Sequence, residues 1–527
     1  MEAIQLFLLT CVPLLLLAWL ISRKETSSGK PTSESRGKTP KILKTWYSWW
    51  TGHVGYIIKN KNRGVEQFRF NLHDLAREAP EPVMAIYALG PRWLTKPVYS
   101  INDPQLIATA TTSSKTARFA SLQAASTSVL GRKSLTALRG EELKRHRKLL
   151  TASILSRKAL SRFVNIMGDV TKTYFGTLPN PGRSDDSPTC FDLELITSND
   201  IGAMVVDAFA NFGFGANVSL AATDPTDIER RQRIHSSIDF LFTVFSERIA
   251  KVGPFDFLAY LDVRRNYKLR CTQDYLRNEI ILPAIRHRRA ETCEGGDVPA
   301  DALDMMLEIT EDGTQAFTEE EICDEAILML SAGHETTAYS IMWALYQLAL
   351  HPKCQQRCYE EVCSVMSSHP PGTTPCMADL DHMTYLHAVL QESGRLTPIA
   401  HSMHREVVED LNIGGYLIPK GSDVMNYFHG NAMAEDVFSD ADQFIPDRWL
   451  NDQTGGAKRP GLSSLPFGNG PHRCFDQRLA VQAMRSVMAV WIQHYRFEMA
   501  TDDVKPIYRV AYIPSEFVLR IFPRRHD

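Results

Sequence analysis

The chain has 527 residues, of which 44% are hydrophobic and 23% charged, and a formal net charge of -3 at pH 7. That composition supports a sizeable core and excludes wholesale disorder, while the balanced charge leaves no overall basic field, so nucleic acid is not the main partner. Its 10 cysteines lack paired C-x-x-C spacing, which excludes a compact zinc site or a dense disulfide framework and points to a reducing compartment.

In chain order, the first element is an uncharged, Leu-rich run at 3–21. At about 1.5 Å rise per residue it is long enough to cross most of a hydrocarbon core of about 30 Å, so a transmembrane anchor is expected. Glu2 precedes the run with no Lys or Arg, unlike a cleaved secretory signal. Arg23, Lys24, Lys30, Arg36, Lys38, Lys41 and Lys44 follow it, which places the N-terminus in the lumen and the rest in the cytosol. The sequon Asn217-Val218-Ser219 would then escape glycosylation. Residues 25–40 have the Ser, Thr, Gly, Pro and Lys composition of a solvated hinge. The expected layout is an anchor at 1–22, a linker at 23–45 and one large domain at 46–527, with 180–188 and 294–299 as surface loops.

Within that domain the pattern is mainly α with small β-sheets. Strand signals fall at 83–89, 98–101, 411–418 before Pro419, and 517–522 before Pro523. Helical periodicity runs through 228–251 and 272–289. Residues 140–150 alternate basic and apolar positions at helical spacing, and Lys144, Arg145 and Lys148 are expected to face solvent. Cys354, Cys358 and Cys363, spaced four and then five apart on a helix, read as partly buried small hydrophobes.

Three segments carry chemistry. Thr318 and Glu321 have capping-box spacing, and the apolar run after them continues to Leu350, where His351-Pro352 stops it. This helix of about 30 residues, roughly 45 Å long, carries Ala332-Gly333-His334-Glu335-Thr336-Thr337 at its middle. Read structurally, that stretch is a Gly-Thr kink with the hydroxyl bonded back to the preceding turn. Read functionally, Thr336 beside the Glu335 carboxylate, on a helix opened by Gly333, relays protons through water. Next, Glu392-Ser393-Gly394-Arg395 puts an acid and an arginine on one helix face, and Phe444-Ile445-Pro446-Asp447-Arg448-Trp449 follows it. Finally, Leu465-Pro466-Phe467-Gly468-Asn469-Gly470-Pro471-His472-Arg473-Cys474-Phe475-Asp476 passes into the helical pattern 477–494. Free N–H groups at that loop-to-helix junction favour a Cys474 thiolate, with Arg473 adding positive charge.

The spacing Phe467-x-x-Gly470-x-x-x-Cys474 resembles the haem-binding loop of the cytochrome P450 family. The long helix is similar to that family's oxygen-activation helix, with Glu335 and Thr336 on its acid and alcohol. The other two segments resemble its E-x-x-R helix and the meander after it. The resemblance implies Cys474 as axial ligand of a haem b iron, with Phe467 and Gly470 in the loop beneath it. It further implies Arg147 and His472 toward the propionates, and a structural network of Glu392, Arg395 and Arg448. Residues 327–332, 397–401, 111–130 and 508–513 would line a substrate pocket. The activity implied is insertion of one oxygen atom from O2 into a lipophilic small molecule. Electrons would come from NADPH through a flavoprotein reductase, with the anchor in the endoplasmic reticulum membrane. A vaguer similarity to fungal members points to specialised metabolism. Two other readings stay open: an O2-independent isomerase or dehydratase of the same family, against which Glu335-Thr336 weighs, and a non-enzymatic haem-binding protein. The second is kept open by two departures from the pattern, Leu143 for a Trp and Asp476 for a Gly; Gly394 for a Leu and His472 for an Arg are further departures. Asp476 is expected to cap the following helix and so leave the haem undisturbed.

Overall fold

The computed structural model describes residues 37–43, 81–87, 96–177, 189–192, 200–215, 225–250, 261–293, 302–307, 316–435, 437–450, 464–500, 504–508, 511–515 and 517–524. The expected anchor at 3–21, most of the hinge, the sequon at 217–219 and the loops at 180–188 and 294–299 lie outside them. Among the described residues no helix is long and apolar enough to cross a membrane. The chain divides into two compact units, residues 1–117 with 402–430 and residues 118–401 with 431–527.

The first unit is built on a six-stranded sheet of order β1-β2-β3-β9-β6-β4, comprising β1 (Lys41–Ile42), β2 (Val83–Ile86), β3 (Val98–Ile101), β4 (Thr116–Arg118), β6 (Ser402–Val407) and β9 (Asp423–Tyr427). β2 and β3 are buried at every position, as strands covered on both faces must be. They pair antiparallel, and β3 then runs parallel to β9. The run at 411–418 is not one strand. It folds into a hairpin of β7 (Leu411–Ile413) and β8 (Tyr416–Ile418), because Gly414 and Gly415 take φ of 55° and 80°, where a glycine costs nothing. Gly414 is also required by packing, since a Cβ there would come within 2.8 Å of Leu106.

The second unit holds the helical layer. It contains α1 (Gly140–Ile154), α2 (Arg157–Thr177), α3 (Asp200–Phe214), α4 (Pro225–Ala250), α5 (Glu319–Leu350), α6 (Thr384–Leu396) and α7 (Gln477–His494). Two small sheets accompany them, one of order β10-β13-β5 from Tyr495–Met499, Val518–Pro523 and Thr189–Asp192, and one pairing β11 (Pro506–Tyr508) with β12 (Tyr512–Pro514). The periodic stretch at 272–289 is interrupted. An α-helix at Val263–Tyr275 passes through a π-helical turn at Leu276–Ile281 into a second helix at Leu282–Cys293. Pro283 accounts for the break: it has no N–H for the Glu279 carbonyl and its ring crowds that oxygen.

α5 is the axis of the unit. Its capping box is formed, with the Thr318 side chain on the Glu321 N–H and the Glu321 carboxylate on the Thr318 N–H. At 32 residues it spans about 48 Å and is buried on nearly every face, as a helix apolar all round must be. α3, α4, α6 and α7 pack against it. Trp343 anchors its C-terminal half and donates to the Tyr512 carbonyl at 3.0 Å.

Candidate functional site

The cysteine loop is shaped by two glycines. Gly468 and Gly470 have φ of 73° and 72°, and the turn they make is closed by Gly468 N–H to Leu465 O at 2.9 Å and Cys474 N–H to Phe467 O at 2.8 Å. Cys474 is thereby delivered to the start of α7 with its side chain accessible, although the loop lies deep in the fold. The Asp476 N–H points at its sulfur. Burial, and then the Asp476 charge, push the Cys474 thiol up to about 12, while that N–H and Arg147 act in the opposite direction. A thiol so placed releases its proton to water when a cation binds the sulfur and keeps it otherwise.

Asp476 stands at the N-cap position of α7 but does not cap it, contrary to the sequence expectation: its side chain makes no capping hydrogen bond. The reason is local. With φ −86° and ψ 18° the residue lacks the extended backbone that folds a side chain onto the first helical N–H groups. Its carboxyl is instead driven up to about 7, first by burial and then by the charge of Glu325, with Arg147 opposing.

Arg147 on α1 reaches the Arg473 carbonyl with both terminal nitrogens at 3.5 Å, the limit of a hydrogen bond, and lies 5.6 Å from the Phe475 ring centre. It has no carboxylate ion pair among the described residues. Arg118 lies close enough to repel it, and burial and that repulsion lower Arg118 to about 10 even though it donates to the Leu135 and Leu138 carbonyls. The buried Arg118 and the half-buried Arg147, both beside the cysteine loop, suit a group that carries carboxylates. The donor set therefore fits a haem: a sulfur for iron, arginines for propionates, and a glycine-turned loop that allows close approach. His472 lies in the short 3-10 turn Gly470–His472 of this loop, and Phe467 is half-buried within it.

Three acids on one stretch of α5 fix the surroundings. Glu321 and Glu325 are bridged by His146 of α1, at 3.1 Å through Nε2 and 2.8 Å through Nδ1. Asp324 accepts the Lys133 N–H at 2.8 Å and pairs with Arg277. Gly131, at φ 113°, is obligatory there, because a Cβ would overlap the Asp324 carboxylate. Burial raises both Asp324 and Glu325. Arg145, Lys144 and Lys148 are all exposed as expected, and Arg145 in addition pairs with Glu321 and donates to the Ala316 carbonyl. The buried carboxylate offers Arg145 a partner that periodicity alone does not reveal.

Farther along α5, the helix runs unbroken through Gly333 rather than opening there. The glycine makes room for the Phe209 ring of α3, which a Cβ would approach to 2.8 Å. Thr336 donates to the Ala332 carbonyl at 2.8 Å, and Ser340 to the Thr336 carbonyl at 2.7 Å. Ala332, Thr336 and Ser340 form an i, i+4 stripe that is left partly uncovered, whereas Glu335 is buried and accepts from Tyr339 Oη at 3.4 Å.

The remaining residues meet around one carboxylate. Glu392 accepts Arg395 Nε at 2.9 Å and Nη2 at 2.8 Å, Arg448 Nε at 3.0 Å, Trp449 Nε1 at 2.8 Å and the Ile445 N–H at 3.0 Å. Burial would raise this carboxyl, but the bonds from Arg395 and the rest hold it below the ordinary range. Arg395 spends its other donors on the Ala432, Ala441 and Gln443 carbonyls. Gly394 tolerates the departure noted above, for a Cβ there would touch Pro466 of the cysteine loop at an ordinary 3.9 Å.

The sequence-selected residues thus form three groups: Cys474, Phe467, Gly470, His472 and Arg147; Glu335 with Thr336; and Glu392 with Arg395 and Arg448. Arg118, His146 and Glu325 were not legible beforehand, since their partners lie far along the chain. Trp449 could have been found from its place next to Arg448. A family model described as Cytochrome P450 matches residues 54–521. The chain is 28% identical over 380 residues to (1S)-1-hydroxy-luvungin A synthase of Citrus sinensis, covering 71% of this chain and 70% of the relative. It is 25% identical to ent-kaurenoic acid oxidase 1 of Hordeum vulgare, covering 74% and 72%, and 25% identical to cytochrome P450 3A11 of Mus musculus, covering 74% and 76%.

Proposed function

Because the chain belongs to the cytochrome P450 family, with the haem iron and oxidoreductase chemistry that membership implies, we propose that it is a haem-thiolate monooxygenase acting on a lipophilic small molecule of specialised metabolism. The observation that carries this reading is the Cys474 sulfur, accessible at a helix start, facing an N–H and accompanied by the buried Arg118 and the half-buried Arg147. Cys474 is the iron ligand, Arg147, Arg118 and His472 hold the propionates, and Phe467 and Gly470 line the loop. When bound, the haem supplies the oxidation chemistry, and thiolate ligation favours O–O cleavage.

The protein's own contribution is positioning and protons. The Thr336 hydroxyl, having given its hydrogen to Ala332 O, keeps lone pairs that accept from a water on the uncovered stripe of α5. Glu335, one residue earlier and buried, is the acid that refills that water. Glu392, Arg395 and Arg448 keep the chain before the cysteine loop in place. Electrons come from NADPH through a membrane flavoprotein reductase, for which Lys144 and Lys148 offer exposed positive charge. Residues 1–22 anchor the protein in the endoplasmic reticulum membrane, 23–45 link, and 46–527 form the cytosolic catalytic domain. The synthase named for a hydroxylated luvungin and the ent-kaurenoic acid oxidase support an oxidised, apolar substrate.

The test is spectroscopic. The reduced, carbon monoxide-bound protein should show the red-shifted Soret band of thiolate ligation, and Cys474→Ala should abolish it; an unchanged band in the variant overturns the assignment.

A further inference from the structure

Outside the cysteine loop, the described residues contain one buried cluster of metal-ligating type: Asp239 from α4 with His334 and Glu335 from α5. Its geometry is specific. His334 is 3% exposed, and its Nδ1 lies 2.6 Å from the Leu330 carbonyl. A carbonyl can only accept, so Nδ1 carries a hydrogen, and Nε2 is left facing Asp239 Oδ1 at 3.7 Å and Glu335 Oε1 at 4.0 Å. Two carboxylates on one nitrogen, withdrawn from water, need a positive charge between them. An imidazolium provides it. Burial lowers His334, but the nearby carboxylates of Asp239 and Glu335 outweigh it and raise the imidazole overall; burial raises Asp239. Asp239 from α4 and Glu335 from α5 are the charges that act on this ring. Tyr339 reaches Glu335 from the same helix, and α3 contributes the uncharged Phe209 ring at Gly333.

We propose that Asp239 and His334 are positioning residues that tie α4 to α5 and hold the Glu335 carboxylate in its buried place beside Thr336, so that displacement of α4 releases the proton donor from that place. The proposal rests on the monooxygenase reading for the role of Glu335. The tie itself is a property of the fold. With Asp239 in place, the imidazole is held between the two carboxylates. With α4 displaced, His334 loses Asp239 and its proton becomes easier to remove.

The experiment uses the full chain with haem, in the parent, Asp239→Asn, His334→Gln and the double variant, with Asp239→Glu as the conservative rescue. Amide hydrogen exchange of α4 is read by mass spectrometry, and NADPH-driven peroxide release, which needs no substrate, is read across pH. Each single variant is expected to speed exchange in α4 by roughly tenfold, the double variant no more than either, because both remove one coupled pair. Asp239→Asn should move the midpoint of the peroxide profile to lower pH, since an imidazolium without its anion loses its proton earlier, and Asp239→Glu should restore it. Unchanged exchange and an unmoved midpoint in variants that keep the thiolate band overturn the proposal and leave the monooxygenase reading standing. Loss of the thiolate band in the parent overturns that reading, while the exchange measurement still reports on the tie. Binding of one equivalent of Zn2+ that His334→Gln abolishes would make the three residues a metal site and overturn the ion-pair account.

Discussion

Glu392 and Asp476 are both carboxylates withdrawn from water in the helical unit, yet they have opposite protonation behaviour. Glu392 collects donors from two arginines, a tryptophan and a backbone N–H, and lies below the ordinary carboxylate range. Asp476 has no capping bond, has Glu325 as a like-charged neighbour, and is driven to about 7. Burial is common to both, so the number of donors decides. A carboxylate whose lone pairs are all met acts as scaffold; one left short of donors keeps its field directed at its neighbour, here the Cys474 sulfur.

The largest effect should come from breaking the satisfied side. Glu392→Gln leaves Arg395 and Arg448 with uncompensated charge, and loss of one member of a buried pair costs about 3–5 kcal/mol, a large fraction of a typical stability of about 5–15 kcal/mol. Thermal unfolding followed by circular dichroism should show a large drop, with haem lost at lower temperature. The pH dependence has a definite sign. Since the folded carboxyl titrates below its unfolded value, its contribution is complete above the ordinary carboxylate pKa and is lost as pH falls through the folded one. The parent should therefore lose stability in acid more steeply than Glu392→Gln; parallel curves would show that the network is dispensable.

That scaffold was also the part most legible in the sequence, and the reason is physical. Glu392 and Arg395 are three apart on one helix, and Arg448 sits in a short Pro-punctuated segment, so local spacing carried the information. The same holds for α5, whose capping box and His-Pro stop are local signals, and for α7, which begins and ends where its periodicity does. What spacing could not carry was pairing across the chain. His146 finds acids 175 and 179 residues away, Arg145 finds one 176 residues away, and Asp239 faces a histidine on another helix. The hairpin in 411–418 and the π-turn before Pro283 were missed for a different reason. Apolar alternation hid the two glycines, and helical periodicity hid the proline's missing N–H.

A smaller effect is expected at the acid–alcohol pair, which lies between the two extremes: Glu335 is buried beside Tyr339 and His334, and Thr336 is half open. Thr336→Ala removes a hydroxyl that is bonded back to its own helix, so folding and haem content should hold. Product formation per NADPH should fall by roughly 10–100-fold, less than the full general acid–base range of about 10²–10⁴ because water substitutes in part, and peroxide should rise to match. Unaltered coupling would favour the O2-independent reading.

The smallest effect sharpens the underpaired side. Asp476→Gly removes a negative charge that no capping bond neutralises, next to a sulfur whose N–H contact comes from the backbone of residue 476 and therefore survives the substitution. Iron ligation should persist and haem content should change little. The lost charge had favoured the more positive, oxidised iron, so the reduction potential should rise modestly, measured by dithionite titration of the haem-loaded protein. Glu325 should then report the change indirectly. It keeps His146 and the Leu135 N–H as partners but loses Asp476 as a like charge, so Glu325→Gln should raise the potential more in the Asp476→Gly background than in the parent, where loss of Glu325 lets Asp476 ionise and offsets part of the gain. If the two substitutions instead add fully, the two acids act on the cysteine loop independently, and Asp476 is tolerated by something other than its neighbours.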